Sequence, residues 1–239
     1  MIKARFLSFI MRFHVITIFP NIFDSYLGES ILKHAIAKKI IRVFSYDIRK
    51  FSKDKHHTVD GRPYGGGVGM VLAAFPIVRT VEATRRKIKK GRRVKIVLFS
   101  AKGKALNQKT VYRWAKDYDD IILISGRYEG VDERVRIILK AEEISIGPYV
   151  LTDGEVPAMV IISAVSRLIP GVIRPESLEE ESHWSKLIHK EGTSGKDLEY
   201  PHYTRPEILE YCGKKYRVPK ILLSGDHKKI EAWRKAHQK

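Results

Sequence analysis

Short apolar runs rich in β-branched residues alternate with helical patterns along most of the chain, and this alternation limits the possible folds more than any other feature. Phe13–Phe19, Val43–Ile48, Val94–Phe99, Ile121–Ile124 and Ile144–Ile146 read as strands. Ile31–Ile40, Pro76–Lys89, Asn107–Lys116 and Val131–Leu139 read as the helices between them. A run such as Ile121-Ile122-Leu123-Ile124 offers no polar face to water, so helices must cover it. The expectation is an α/β fold with a largely parallel sheet. A further helix, Ala158–Leu168, stops at Pro170-Gly171, and from Arg174 to Glu199 the chain is polar, without an apolar period. That stretch reads as a linker. The remainder, with helical patterns near Pro206–Tyr211 and Lys228–Ala236, reads as a small helical module. The expected organisation is an N-terminal extension over 1–10, a main domain over 11–173, a linker over 174–199 and the module over 200–239.

With 239 residues and this apolar content, a core needs no covalent staples. Cys212 is the only cysteine, which rules out an intramolecular disulfide or a cysteine-based zinc site and fits a reducing cytosol. His56-His57 cannot place both rings on one helical face, and no HExxH occurs, so a histidine metal site is not expected. Met1–Ile10 is mildly apolar, but Arg12 and His14 interrupt it and no small-residue cleavage site follows. Export is therefore not expected, and Met11 is an equally good start. No run approaches the ~20 apolar residues of a membrane span.

The formal charge is +18, and it is concentrated. Arg85 to Lys95 is cationic without a single acid, and Lys214 to Lys235 forms a second basic segment. Such a field favours a polyanion, with nucleic acid ahead of a bilayer because neither segment has a clean apolar face. A solvated basic surface is the alternative. Gly65 to Met70 lacks the last glycine of GxGxxG and follows a turn instead of a strand, and no GxxxxGK[ST] occurs, which excludes the common dinucleotide and P-loop sites.

Four connecting segments carry unusual chemistry. Gly126-Arg127-Tyr128-Glu129-Gly130-Val131-Asp132-Glu133-Arg134 follows a buried strand directly, where open α/β sheets place ligands. A turn into an acid-capped helix would use the same residues. Ser145 to Glu155 combines glycines and Pro148 with Tyr149 and Leu151, so free backbone polar groups lie beside apolar side chains, as an adenine ring requires. A plain strand-turn-strand also fits. Arg62 to Met70 and Ser166 to Gly171 complete the set.

Together with Pro201-His202-Tyr203-Thr204-Arg205-Pro206 and Leu223-Ser224-Gly225-Asp226-His227, these segments resemble the bacterial tRNA (guanine-N1)-methyltransferases, in unbroken order from Met11 to about Ala236. The resemblance implies a SPOUT fold with a deep trefoil knot, S-adenosylmethionine as methyl donor, a cytoplasmic homodimer, and methylation of N1 of the tRNA guanosine at position 37. It implies cofactor contacts at Gly126 and along Ile146, Gly147, Pro148, Tyr149, Val150 and Leu151, with Phe99, Ser100, Tyr128 and Gly154 lining the same cavity. Arg167 matches the arginine that approaches the guanine. A guanidinium at O6 is worth most once N1 is deprotonated, although an arginine at a helix C-terminus also suits the dipole. The matched position of the general base is Glu181, where the family has aspartate. Glu129 and Glu181 are the carboxylates nearest a possible Mg²⁺. Other departures are Val68 for proline, Pro148 for aspartate, Phe99 for tyrosine and Asp153 for glycine, with a longer linker and a shortened C-terminal module. The rival expectations are another SPOUT RNA methyltransferase, and a tRNA-binding protein of the same fold with weak or lost catalysis.

Overall fold

The computed structural model describes residues 10–174 and 200–237. The linker expected over 174–199, apart from Arg174, and Glu181 within it lie outside the described residues, as does the extension before Ile10.

Five parallel strands form the central sheet: β1 (Met11–Thr17), β2 (Ile41–Asp47), β5 (Val94–Ala105), β6 (Asp120–Ile124) and β7 (Glu142–Ser145), in the order β2-β1-β6-β5-β7. Two short strands, β3 (Asp60–Gly61) and β4 (Val71–Leu72), form a separate antiparallel pair. The helices are α1 (Asp24–Leu27), α2 (Ser30–Ala37), α3 (Ala74–Lys87), α4 (Gln108–Asp117), α5 (Glu133–Leu139) and α6 (Glu155–Ser166). Side chains alternate across the pleat and divide the core in two. Phe13, Val15, Val97, Phe99, Ile121 and Leu123 face one way, onto Leu32 and Ala35 of α2, Trp114 of α4 and Ile161 and Ile162 of α6. Ile96, Leu98, Ile122 and Ile124 face the other way, onto Ile77 and Val81 of α3 and Val135 and Leu139 of α5. With both faces covered, β6 is buried along its whole length.

The strands and helices expected before Arg174 are present, with boundaries moved by a few residues. Asp132 accepts a hydrogen bond from the Arg134 N–H and thereby starts α5 at Glu133 instead of Val131. The largest shift is in β5, which continues to Ala105 instead of ending at Phe99. Phe99 and Lys104 both pair with Ile144, so residues 100–103 bulge out of the ladder. At the end of the bulge, a Cβ on Gly103 would lie 2.6 Å from the Ile144 nitrogen, so only glycine lets the chain pass so close to β7.

The described residues from Tyr200 on belong to a second compact unit. It contains β8 (Ile208–Tyr211), β9 (Lys214–Arg217), α7 (Lys220–Leu223) and α8 (His227–Ala236). The helix expected near Pro206–Tyr211 is instead the first strand of a hairpin. Cys212 and Gly213, at φ 50° and 71°, make the two-residue turn that joins its strands, and two successive positive φ values match the right-handed twist of paired strands. Trp233 of α8 stacks on His237 and lies against Tyr203, which gives this unit a small aromatic centre of its own.

Candidate active site

A cavity of about 440 Å³ opens beyond the carboxyl ends of β5, β6 and β7, where parallel sheets bind ligands. Its walls come from the β5 bulge, the loop after β6 and the loop between β7 and α6. Phe99, Ser100, Gly126, Tyr128, Glu129, Ile146, Gly147, Tyr149, Val150, Leu151 and Gly154 all line it. Pro148 is in the same loop but outside the lining, and Arg167 is also outside it. Arg167 follows the last turn of α6, a helix of 12 residues that begins beside the cavity. At 1.5 Å per residue the 13 steps from Gly154 place it roughly 20 Å away along the helix. Glu181 lies outside the described residues.

Backbone proximity shapes the walls. A Cβ on Gly154 would lie 2.5 Å from the Gly126 nitrogen, because the start of α6 is pressed against the end of β6. The Gly154 N–H donates to the Gly126 carbonyl at 2.8 Å, and the Ser125 hydroxyl donates to the Gly154 carbonyl at 3.1 Å. The loop after β6 is also stitched to β4: the Glu129 N–H donates to Met70 O, Leu72 N–H to Gly130 O and Asp132 N–H to Leu72 O, each at 3.0 Å. Holding that path forces Tyr128, which is not glycine, to φ 59°. Such strain persists only where surrounding bonds impose it, and it collects at ligand sites. The Glu129 carboxylate lies where a Cβ on Gly69 would be, 2.5 Å from it, so the Arg62–Met70 segment joins the same site through a missing side chain.

Charge is placed around this cavity with care. Asp153 Oδ1 accepts from the N–H groups of Glu155 and Val156, both at 2.9 Å, and caps α6. Burial would raise the Asp153 pKa, but the Val156 N–H, the Thr152 hydroxyl and the Arg127 charge outweigh it and hold the carboxyl below its usual range. Glu155 is fully buried. It accepts from the Thr17 hydroxyl of β1 and, at 3.0 Å, from Arg127 Nε. Burial raises its pKa against the opposing pull of Thr17 and Arg127. Arg127 lies over the Phe19 ring, 4.7 Å from the centroid, and forms part of the cavity wall. Burial and a hydrogen bond with Asp60 raise the Tyr128 phenol.

Sequence reasoning missed Ala101 and Lys102, which the β5 bulge brings to the wall, and the Thr17–Glu155–Arg127 chain behind it. The signal for the second was faint: an acid in the first turn of an otherwise apolar helix.

A parallel, helix-covered sheet with a glycine-walled cavity at its carboxyl edge, closed by acidic and aromatic loop residues, defines an α/β enzyme of the small-ligand-binding class. The family described as tRNA (Guanine-1)-methyltransferase TrmD matches residues 11–239, and the chain belongs to it. A tRNA (guanine-N(1)-)-methyltransferase of Thermomicrobium roseum is 50% identical over 225 residues, covering 94% of this chain and 78% of the relative. One from Clostridioides difficile is 47% identical over 228 residues, covering 94% of this chain and 91% of its own length. The crystal structure of the tRNA (m1G37) methyltransferase from Aquifex aeolicus superposes with a TM-score of 0.72 at 39% identity, covering 95% of this chain and 88% of that one.

Proposed function

We propose that the chain methylates N1 of the tRNA guanosine at position 37, with S-adenosylmethionine as donor. The observation that carries this reading is the cavity itself: residues matched to the cofactor contacts converge on one space from three separate loops. The residues also fit the ligand. Tyr149, Val150 and Leu151 put apolar surface beside the loop backbone, as an adenine needs, and Asp153 and Glu129 put negative charge near a sulfonium. When bound, S-adenosylmethionine supplies a methyl group already activated for direct displacement, so no covalent enzyme intermediate is needed.

The chain's own work is then positioning and proton transfer. Gly154 lets the start of α6 press against the end of β6 and so fixes the wall, and Glu155 holds Arg127 in it. Glu181 takes the N1 proton, and the Arg167 guanidinium stabilises the charge that develops on O6. Mg²⁺ assistance would draw on Glu129 with Glu181. Among the described residues no three potential ligands cluster, and no step here depends on the ion.

A homodimer completes the site in this reading. Its support is the placement of Arg167 at the far end of α6 from Gly154 and the exposed apolar side chains Val156 and Val160 on α6, with Ile22 and Tyr26 also exposed, a surface suited to a second copy. The trefoil knot is part of the same proposal, supported by the match to the family over residues 11–239. The unit after Tyr200, whose β9 exposes Lys214, Lys215 and Arg217, would hold tRNA. The cytoplasm suits this substrate, and among the described residues no helix is long and apolar enough to cross a membrane.

The test is methyl transfer from labelled S-adenosylmethionine to two tRNA transcripts with guanosine or adenosine at position 37. Transfer to the guanosine transcript alone is expected; transfer to both, or to neither while tRNA and cofactor still bind, refutes the proposal.

A further inference from the structure

All strands of the central sheet are parallel, so their amino ends share one edge, opposite the cavity. That edge collects cations. Lys38 and Lys39 end the turn before β2, and Arg85, Lys87, Lys89 and Lys90 occupy the end of α3 and the turn into β5; all are exposed. None of these six has a carboxylate within 4.0 Å among the described residues, and the neighbouring Arg86 only just reaches Glu82 at 4.0 Å.

This surface is held in shape by a buried network. Arg92 pairs with the fully buried Asp120, and its guanidinium also donates to the Ile10 carbonyl at 2.9 Å and the Asp119 carbonyl at 2.7 Å. Those bonds fasten the turn to the starts of β1 and β6. Gly91, at φ 89°, lets the chain reverse there, and the Arg92 N–H closes the turn on Lys89 O at 3.3 Å. Lys89 and Lys90 therefore project from a fixed backbone. Helix C-termini favour a cation or two in their last turn. Six such cations on two turns at one edge exceed that need, and like charges so placed repel one another unless something anionic lies across them.

We propose that this edge is a phosphate-docking surface for the body of the tRNA, well away from the nucleotide being methylated. The inference rests on the tRNA reading above. From Val94 to Ser100 the sheet is roughly 20 Å tall at about 3.3 Å per residue, a distance that one RNA helix spans easily. Lysines without a carboxylate partner, Lys87 resting over the Tyr46 ring, suit backbone contacts, which position a nucleic acid without reading its sequence.

The test compares the full chain with two variants, Lys87→Ala/Lys89→Ala/Lys90→Ala and Lys38→Ala/Lys39→Ala, neither of which touches the cavity. The readouts are labelled-tRNA binding across a salt series, KM and kcat for tRNA, cofactor affinity by calorimetry, and melting temperature. The triple variant should raise the tRNA Kd and KM about tenfold and flatten the slope of log K against log salt by about 2–3, with the double variant doing the same to a smaller degree. Melting temperature, kcat and cofactor affinity should hold. Unchanged binding and salt slope in both variants overturns the proposal, and so does a loss confined to kcat. Wild-type binding to phosphatidylserine vesicles that tRNA does not displace, with tRNA affinity unchanged in the variants, would assign the edge to a bilayer and equally overturn it. If wild type shows the salt-dependent binding and the variants lose it, but no methyl is transferred, the enzymatic reading fails while the docking surface stands.

Discussion

Glu155 and Arg127 hold each other at 3.0 Å behind the wall of the cavity, one on the first turn of α6 and the other in the loop after β6. The carboxylate is fully buried and also takes the Thr17 hydroxyl, so a single side chain ties β1, α6 and the ligand loop together. Removing the acceptor leaves two donors without a partner. Glu155→Ala should lower stability by about 3 kcal/mol and weaken cofactor binding as Arg127 swings out of the wall. Glu155→Gln keeps acceptor and volume. Because burial raises the Glu155 pKa, the stability tied to its protonated form is complete below its unfolded pKa of about 4.3 and is lost as pH rises through the higher folded value. The glutamine variant escapes that loss, so its stability relative to wild type should improve as pH rises above about 4 in denaturant titrations.

Gly154 tests the wall directly. A methyl there would lie 2.5 Å from the Gly126 nitrogen and 2.7 Å from Ser125 Cα, and backbone cannot yield as a flexible side chain can. Gly154→Ala should push α6 off the end of β6 and reduce S-adenosylmethionine affinity at least tenfold by calorimetry. Gly61→Ala, which meets nothing within 4 Å, is the control and should bind normally.

At the other end of the sheet, Asp120 is buried between His14, at 2.8 Å, and Arg92. Burial opposes its ionisation, but the hydrogen bonds from His14 and Arg92 prevail and lower its pKa. Its stabilisation is therefore present above the unfolded pKa of about 3.9 and disappears as pH falls through the lower folded value. Asp120→Asn should cost about 3 kcal/mol at pH 7, with the gap to wild type closing below pH 4. A gap that stays constant with pH would mean that Asp120 gains nothing from its charge.

The parallel sheet was legible because runs such as Ile121 to Ile124 leave no face for water, and the cavity loops were legible because glycines and charges cluster directly after strands. What escaped depends on partners distant in the chain. Thr17 and Glu155 are 138 residues apart, and the acid in the first turn of an apolar helix does not say which residue it meets. The β5 bulge escaped because Gly103 matters only through its contact with β7. The Ile208–Tyr211 strand was misread because a short run with Ile208, Leu209 and Tyr211 satisfies both periods, and the Cys212-Gly213 turn lacks the Asn-Gly that usually marks such hairpins.

Arg167 offers a test of how the site is assembled. It follows the end of α6, 13 residues after Gly154 and so roughly 20 Å along the helix from it. Arg167→Ala should reduce kcat by about 10²-fold or more and leave cofactor affinity within twofold, since a transition-state contact is lost and no ground-state one. Arg167→Lys should recover little, because an ammonium cannot reproduce the planar fork. Mixing Arg167→Ala with the cofactor-deficient Gly154→Ala and exchanging subunits decides where the arginine acts. If it serves the partner's cavity, half of the chains enter heterodimers in which one site carries both lesions and the other none, restoring activity to about a quarter of wild-type sites. If it serves its own, every site keeps a defect and mixing restores nothing.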